Sequence, residues 1–252
     1  MVINMLKSIN PNALLFILGF LGIISMVPLI PELLALQSEP LTISVEMLQV
    51  ISVIQSSVLL LFMVWLGAVF SKKVGLASPV AFALSNSKGV YKALKPQLIP
   101  AFIGGVIGGI ILSIISGYLP TEFLSVAGAF VPPWYTKVLY GGITEELLVR
   151  WGLMSFIVWG LYRLTQTSGS VIKSHNYILA IIVSALIFGM GHLPIVFALA
   201  SDITFYLVTY IVMANAAFGF IAGYLYWKYG LECAIGAHMM THMTLIIGAS
   251  FF

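Results

Sequence analysis

The chain has 252 residues, 61% of them hydrophobic and only 8% charged, with a net charge of +3 and a mean hydropathy of +1.10. Soluble globular chains carry about 25% charged side chains, so a soluble domain is excluded and a polytopic membrane protein is expected. The charge is small and spread out, with no basic patch interleaved with aromatics, which removes nucleic acid as a partner. A single cysteine, Cys233, rules out an intrachain disulfide.

The expected fold is an all-α transmembrane bundle of about seven to eight spans, forming one integral-membrane domain over residues 1–252. The apolar stretch from Asn12 to Leu36 is long for a signal peptide and lacks an A-x-A site, so it reads as the first span, from Ala13 to Leu36. Pro28 and Pro31 kink or end its outer part. The link from Glu32 to Glu46 holds acids and no basic residue. Span two, Met47 to Phe70, ends at Lys72 and Lys73, the first two of five lysines up to Lys95. That loop fixes a cytoplasmic face, with Ala81 to Ala93 reading as an interfacial segment.

Span three, Ile99 to Leu119, places Gly105, Gly109, Ser113 and Gly117 four apart, a close-packing face for another helix. The link from Pro120 to Pro133 has no basic residue and belongs outside. Pro132 and Pro133 then start span four, with Trp134, Tyr135 and Lys137 at the interface. This span runs to Tyr162, some 29 residues, where about 20 suffice. It must tilt strongly or break at Gly141-Gly142. Arg163 and Lys173 mark a polar cytoplasmic loop. Span five runs from Tyr177 to His192 and is stopped by Pro194, and Ile195 to Ala200 is too short to cross. Span six covers Ile203 to Trp227, and span seven follows Gly230 with His238 and His242.

Span four holds the chemistry. Charges at membrane depth are costly and face a protein interior or a wet cavity. Glu146 and Arg150 are four apart in the favourable order for a helical ion pair, whereas Glu145 lies about 100° around the helix without a local partner. Glu145 is therefore the carboxylate free to act as general base to water. Of the four histidines, His175 lies in a polar loop, while His192, His238 and His242 fall within apolar spans. His238 and His242 share a helix face. Imidazoles placed beside Glu145 orient water or stabilise an oxyanion by donating a ring N–H. The same four side chains, Glu145, His192, His238 and His242, offer a second scheme, a zinc site with metal-bound water. Neither HExxH nor GxSxG occurs.

Glu145-Glu146-x-x-x-Arg150, Phe188-x-x-x-His192 and His238-x-x-x-His242 together resemble the CPBP (Abi) intramembrane endopeptidases, which include the type II CAAX prenyl endopeptidases. The resemblance covers Trp134 to Leu245 and implies a helical bundle of about eight spans, with the catalytic core in residues 131–252 and N-terminal spans of unknown role in 1–130. It implies Glu145 as general base, His192 as its partner on the water, and His238 as oxyanion donor or metal ligand. Glu146 and Arg150 become the supporting pair, and Phe188 packs the site. His242 stands where the family commonly has Asn; imidazole keeps one donor there but also binds metal better. The expected substrate is a hydrophobic or lipid-anchored peptide and the expected location a bacterial inner membrane. A proton-coupled transporter or a non-catalytic membrane adaptor are the alternatives for the same buried cluster.

Overall fold

A computed structural model describes residues 10–36, 43–124, 130–167, 169–200 and 202–249, which are helices joined by short links. Helix α1, Pro11–Met26, starts on an Asn10 side chain that accepts the Asn12 amide at 2.8 Å. It stops where the sequence predicts: a turn at Val27-Pro28 separates it from the short α2, Leu29–Leu34. Helix α3, Val45–Phe70, is capped by Ser44, whose hydroxyl accepts the Met47 amide at 3.2 Å. A 3₁₀ turn over Ser71–Val74 follows, closed by Gly75 at φ +68°.

Only part of the expected interfacial segment is a separate helix. Helix α4 covers Pro79–Ser85. Its start is tied to the other end of the sequence by Glu232, which accepts from the Ser78 hydroxyl and, at 2.8 Å, from the Ala81 amide. Helix α5 then spans Val90–Ser116, beginning nine positions before the expected Ile99 and running through Pro96 and Pro100. Each proline removes one backbone donor, a cost that membrane helices tolerate when neighbours satisfy the freed carbonyl.

Helix α6 runs unbroken over Trp134–Thr165. It does not break at Gly141-Gly142. Instead Lys137–Glu145 and Leu147–Met154 are wound as π-helix. With i→i+5 bonds each turn holds more residues, so the helix rises less than the about 48 Å that 32 residues would cover as an α-helix. The surplus length is taken up by winding. Helix α7, Ser174–Met190, ends in a turn at Gly191 and His192. Pro194 falls in the first turn of α8, Leu193–Leu199, where its missing N–H costs nothing. The last helices are α9, Phe205–Tyr229, and α10, Leu231–Ala249.

Among the described residues, five helical stretches are long and apolar enough to cross a membrane: Val45–Val74, Val90–Ser116, Trp134–Thr165, Ser174–Leu199 and Phe205–Tyr229. These five do not confirm the expected count of about seven to eight. Helix α1 is apolar but only 16 residues long, because Pro28 ends it early. Helix α10, at 19 residues, carries Glu232, two histidines and two threonines.

Helix α6 is the centre of the bundle. Its first half lies against α1 and α10, and its second half against α3 and α7. Small residues allow these approaches. A Cβ on Gly152 would meet the Met63 carbonyl at 2.7 Å, and one on Gly19 would meet Leu60 at 2.9 Å. Hydroxyl bonds pin the same contacts: Thr144 donates to the Gly19 carbonyl at 2.8 Å and Thr136 to the Ser25 carbonyl at 3.1 Å. The expected glycine face on α5 packs against α10, where a Cβ on Gly109 would meet Thr244 at 2.5 Å. Thr241 donates to the Gly105 carbonyl at 3.1 Å. That contact positions the helix carrying both C-terminal histidines.

Candidate active site

Three helices bring the carboxylates and imidazoles together. Glu145 and Glu146 sit between the two π-helical stretches of α6, His192 at the turn that ends α7, and His238 two turns into α10. The Arg150 guanidinium donates to Glu146 Oε1 at 3.1 Å and to the Gly219 carbonyl at 3.0 Å, and both charged side chains are fully buried. Arg150 also lies over the Phe188 ring, 4.9 Å from its centre. The pair foreseen from spacing is formed, and α7 and α9 close around it.

Glu146 has a second partner that the sequence reading missed. His238 Nδ1 is 2.8 Å from the same Oε1. The carboxylate therefore orients an imidazole as well as neutralising a guanidinium. Glu145 stands apart from that pair. Its Oε1 faces His192 Nε2 at 4.0 Å and its Oε2 faces His238 Nε2 at 3.9 Å. Two hydrogen bonds of about 2.8 Å through one water span such a gap. Glu145 is 17% exposed and His192 32%, against 5% for His238, so the site opens on the His192 side.

Hydrogen bonds set the ring tautomers. A carbonyl only accepts, so His192 Nδ1, 2.9 Å from the Phe188 carbonyl, carries the proton. An ionised carboxylate likewise only accepts, so His238 Nδ1 donates to Glu146. In their neutral forms both rings turn a bare Nε2 towards Glu145. His238 donates to an oxyanion through Nε2 only when both its nitrogens are protonated. Phe188 packs edge-on against the His192 ring at 4.9 Å, and Phe218 lies against the His238 ring at 4.4 Å.

His242 is near but differently engaged. Its ring stacks on His238 at 4.9 Å and 20°. A Cβ on Gly141 would meet His242 Nε2 at 2.6 Å, so the absence of a side chain there gives the imidazole its place. Among the described residues, no group of three or more His, Cys, Asp and Glu side chains is arranged to hold a metal ion. The four side chains of the second scheme, Glu145, His192, His238 and His242, nevertheless converge. One imidazole is bonded to Glu146, and another is stacked on its neighbour.

Phe218 and Gly219 were not singled out in the sequence. The available signal is the run of small residues at Ala216, Gly219 and Gly223 on α9. A Cβ on Gly219 would meet Arg150 Nη2 at 3.4 Å.

The chain is thus an all-α helical membrane bundle with a largely buried carboxylate–imidazole cluster. Residues 127–244, just under half of the chain, match the family described as type II CAAX prenyl endopeptidase Rce1-like. The resemblance carried by the three motifs is thereby shown over that stretch, and it supports a CAAX-type intramembrane endopeptidase as the general class. No curated protein and no solved structure matches the chain.

Proposed function

We propose that this protein hydrolyses a peptide bond in a hydrophobic or membrane-tethered peptide, using water activated by Glu145 and His192. One observation carries the reading: the two oxygens of Glu145 each face the Nε2 of a histidine, at 4.0 and 3.9 Å, across a gap one water wide. A water there donates one hydrogen to Glu145 and the other to His192 Nε2, leaving a lone pair free for the substrate carbonyl. Glu145 takes the proton as the C–O bond forms and returns it to the leaving amine as the C–N bond breaks. The products are a carboxylic acid, which keeps the water's second hydrogen until it ionises, and an amine, so the atoms balance.

His238, in its doubly protonated form, or His242 supplies the donor to the tetrahedral oxyanion. Glu146 and Arg150 hold His238 in register and touch no reacting atom. No step is routed through a metal. A bacterial inner membrane is the proposed seat, on the family resemblance alone.

The test is cleavage of hydrophobic and lipid-anchored peptides by purified protein in bilayers, with Glu145→Gln and His192→Ala variants confirmed as folded. Loss of cleavage in both supports the assignment. Undiminished cleavage in either ends it. Activity abolished by a chelator and restored by zinc would replace the metal-free scheme.

A further inference from the structure

A second site lies on the outside of the bundle, away from Glu145. Helices α5 and α9 leave a lipid-facing apolar groove of about 610 Å³ between them, lined by Ile99, Ile103, Gly104, Ile221, Tyr224 and Leu225. Ile99 is 71% and Ile103 51% exposed, although both sit on a long crossing helix. Gly104 forms part of the floor, where a Cβ would meet the Leu225 side chain at 2.7 Å.

The groove has a charged mouth. Lys92, Lys95, Ile99 and Ile103 recur at spacings of three and four, so both lysines stand on the stripe of α5 that forms one wall. Helix α9 is antiparallel to α5 and brings exposed Lys228 and Tyr229 to the same end, with Lys228 Nζ 3.5 Å over the Trp227 ring. The only acid near this mouth among the described residues is Glu232, and it is engaged by Ser78 and Ala81. An apolar cleft at membrane depth that ends in unneutralised cations matches one molecule, a lipid with an anionic headgroup. Basic pockets between transmembrane helices recognise such headgroups.

We propose that this groove seats an acyl chain of an anionic phospholipid whose headgroup is held by Lys92, Lys95 and Lys228. The site is independent of the peptidase reading. Apolar lining and charge do different work: Ile99, Ile103 and Ile221 retain the chain, and the lysines select the charge. The full-length protein, delipidated in neutral detergent and offered phosphatidylglycerol or phosphatidylcholine, retains phosphatidylglycerol selectively when bound lipid is counted by native mass spectrometry. Each Lys→Gln change weakens that retention about fivefold, and the triple Lys92→Gln, Lys95→Gln, Lys228→Gln variant by about a hundredfold. Ile103→Trp fills the cleft and lowers retention with the lysines intact. These are surface changes outside the Glu145 cluster, so folding and basal activity are unaffected. Equal retention of the two lipids, or a triple variant that still holds phosphatidylglycerol, overturns the proposal. So does displacement of the lipid by inorganic phosphate alone, which would mean a headgroup site that makes no use of the groove.

Discussion

The two adjacent glutamates differ by one position and do unlike work because they meet different partners. Glu146 is fully buried between Arg150 and His238, while Glu145 is 17% exposed and faces two ring nitrogens without bonding either. Two substitutions should therefore separate chemistry from architecture. Glu145→Gln leaves thermal stability in detergent nearly unchanged and lowers kcat by about 10²–10⁴-fold, the usual worth of a general base. Arg150→Met removes the guanidinium and leaves Glu146 as an uncompensated buried charge. Loss of one partner from such a pair costs about 3–5 kcal/mol, read as a clear drop in the unfolding midpoint even without substrate. A Glu145→Gln variant that unfolds as readily as Arg150→Met would merge the two roles. The Glu146–Arg150 spacing was legible in the chain because helical neighbours four apart are fixed by local geometry. The Glu146–His238 bond was not, since 92 positions separate its partners and only the packing of α10 on α5 and α6 joins them.

At the scale of elements, glycine decides where helices touch. The stripe on α5 was readable, and Gly105 and Gly109 do meet α10. Gly109→Leu should force α10 away and cost about 1–3 kcal/mol as overpacking, while Gly248→Ala, whose added carbon would find Ser113 Oγ at 3.8 Å, should fold normally. Thermal melts of the two variants side by side check this. Gly141→Ala is sharper: its methyl group would collide with His242, so the loss it causes should be partly relieved in the Gly141→Ala, His242→Ala double variant. Strict additivity in that cycle would contradict the contact. Other features escaped sequence reading for physical reasons. Pro96 and Pro100 look like breakers, yet α5 runs through them. The π winding of α6 was not legible because side-chain spacing at three and four reads the same whether backbone bonds run i→i+4 or i→i+5.

For the whole molecule, charge is largely segregated, with Lys137 and Glu232 as exceptions among the described residues. Lys72, Lys73, Lys88, Lys92, Lys95, Arg163, Lys173 and Lys228 gather at one end, where the Tyr177 hydroxyl donates to the Val74 carbonyl at 2.7 Å and the Leu231 amide to the Ala77 carbonyl at 3.0 Å. Glu32, Glu46, Glu122 and Asp202 mark the opposite end. By the positive-inside rule, the basic end is the one expected in the cytoplasm. Thiol labelling of intact cells checks it: an exposed Ser170→Cys should be shielded and an exposed Thr121→Cys reactive from outside. Native Cys233 is fully buried and gives no background. The reverse pattern would invert the topology.

The loosely wound α6 bears on how such a protein keeps its membrane tight. Because each of its turns takes up extra residues, Glu145, Glu146 and Arg150 lie closer along its axis than an α-helix would set them, and His192 and His238 meet the two carboxylates there. Ile143, Leu147, Trp151 and Met154 on the same helix are shut inside the bundle as a greasy gasket. A water that reaches Glu145 from the His192 side is thus met by packed apolar side chains on the same helix.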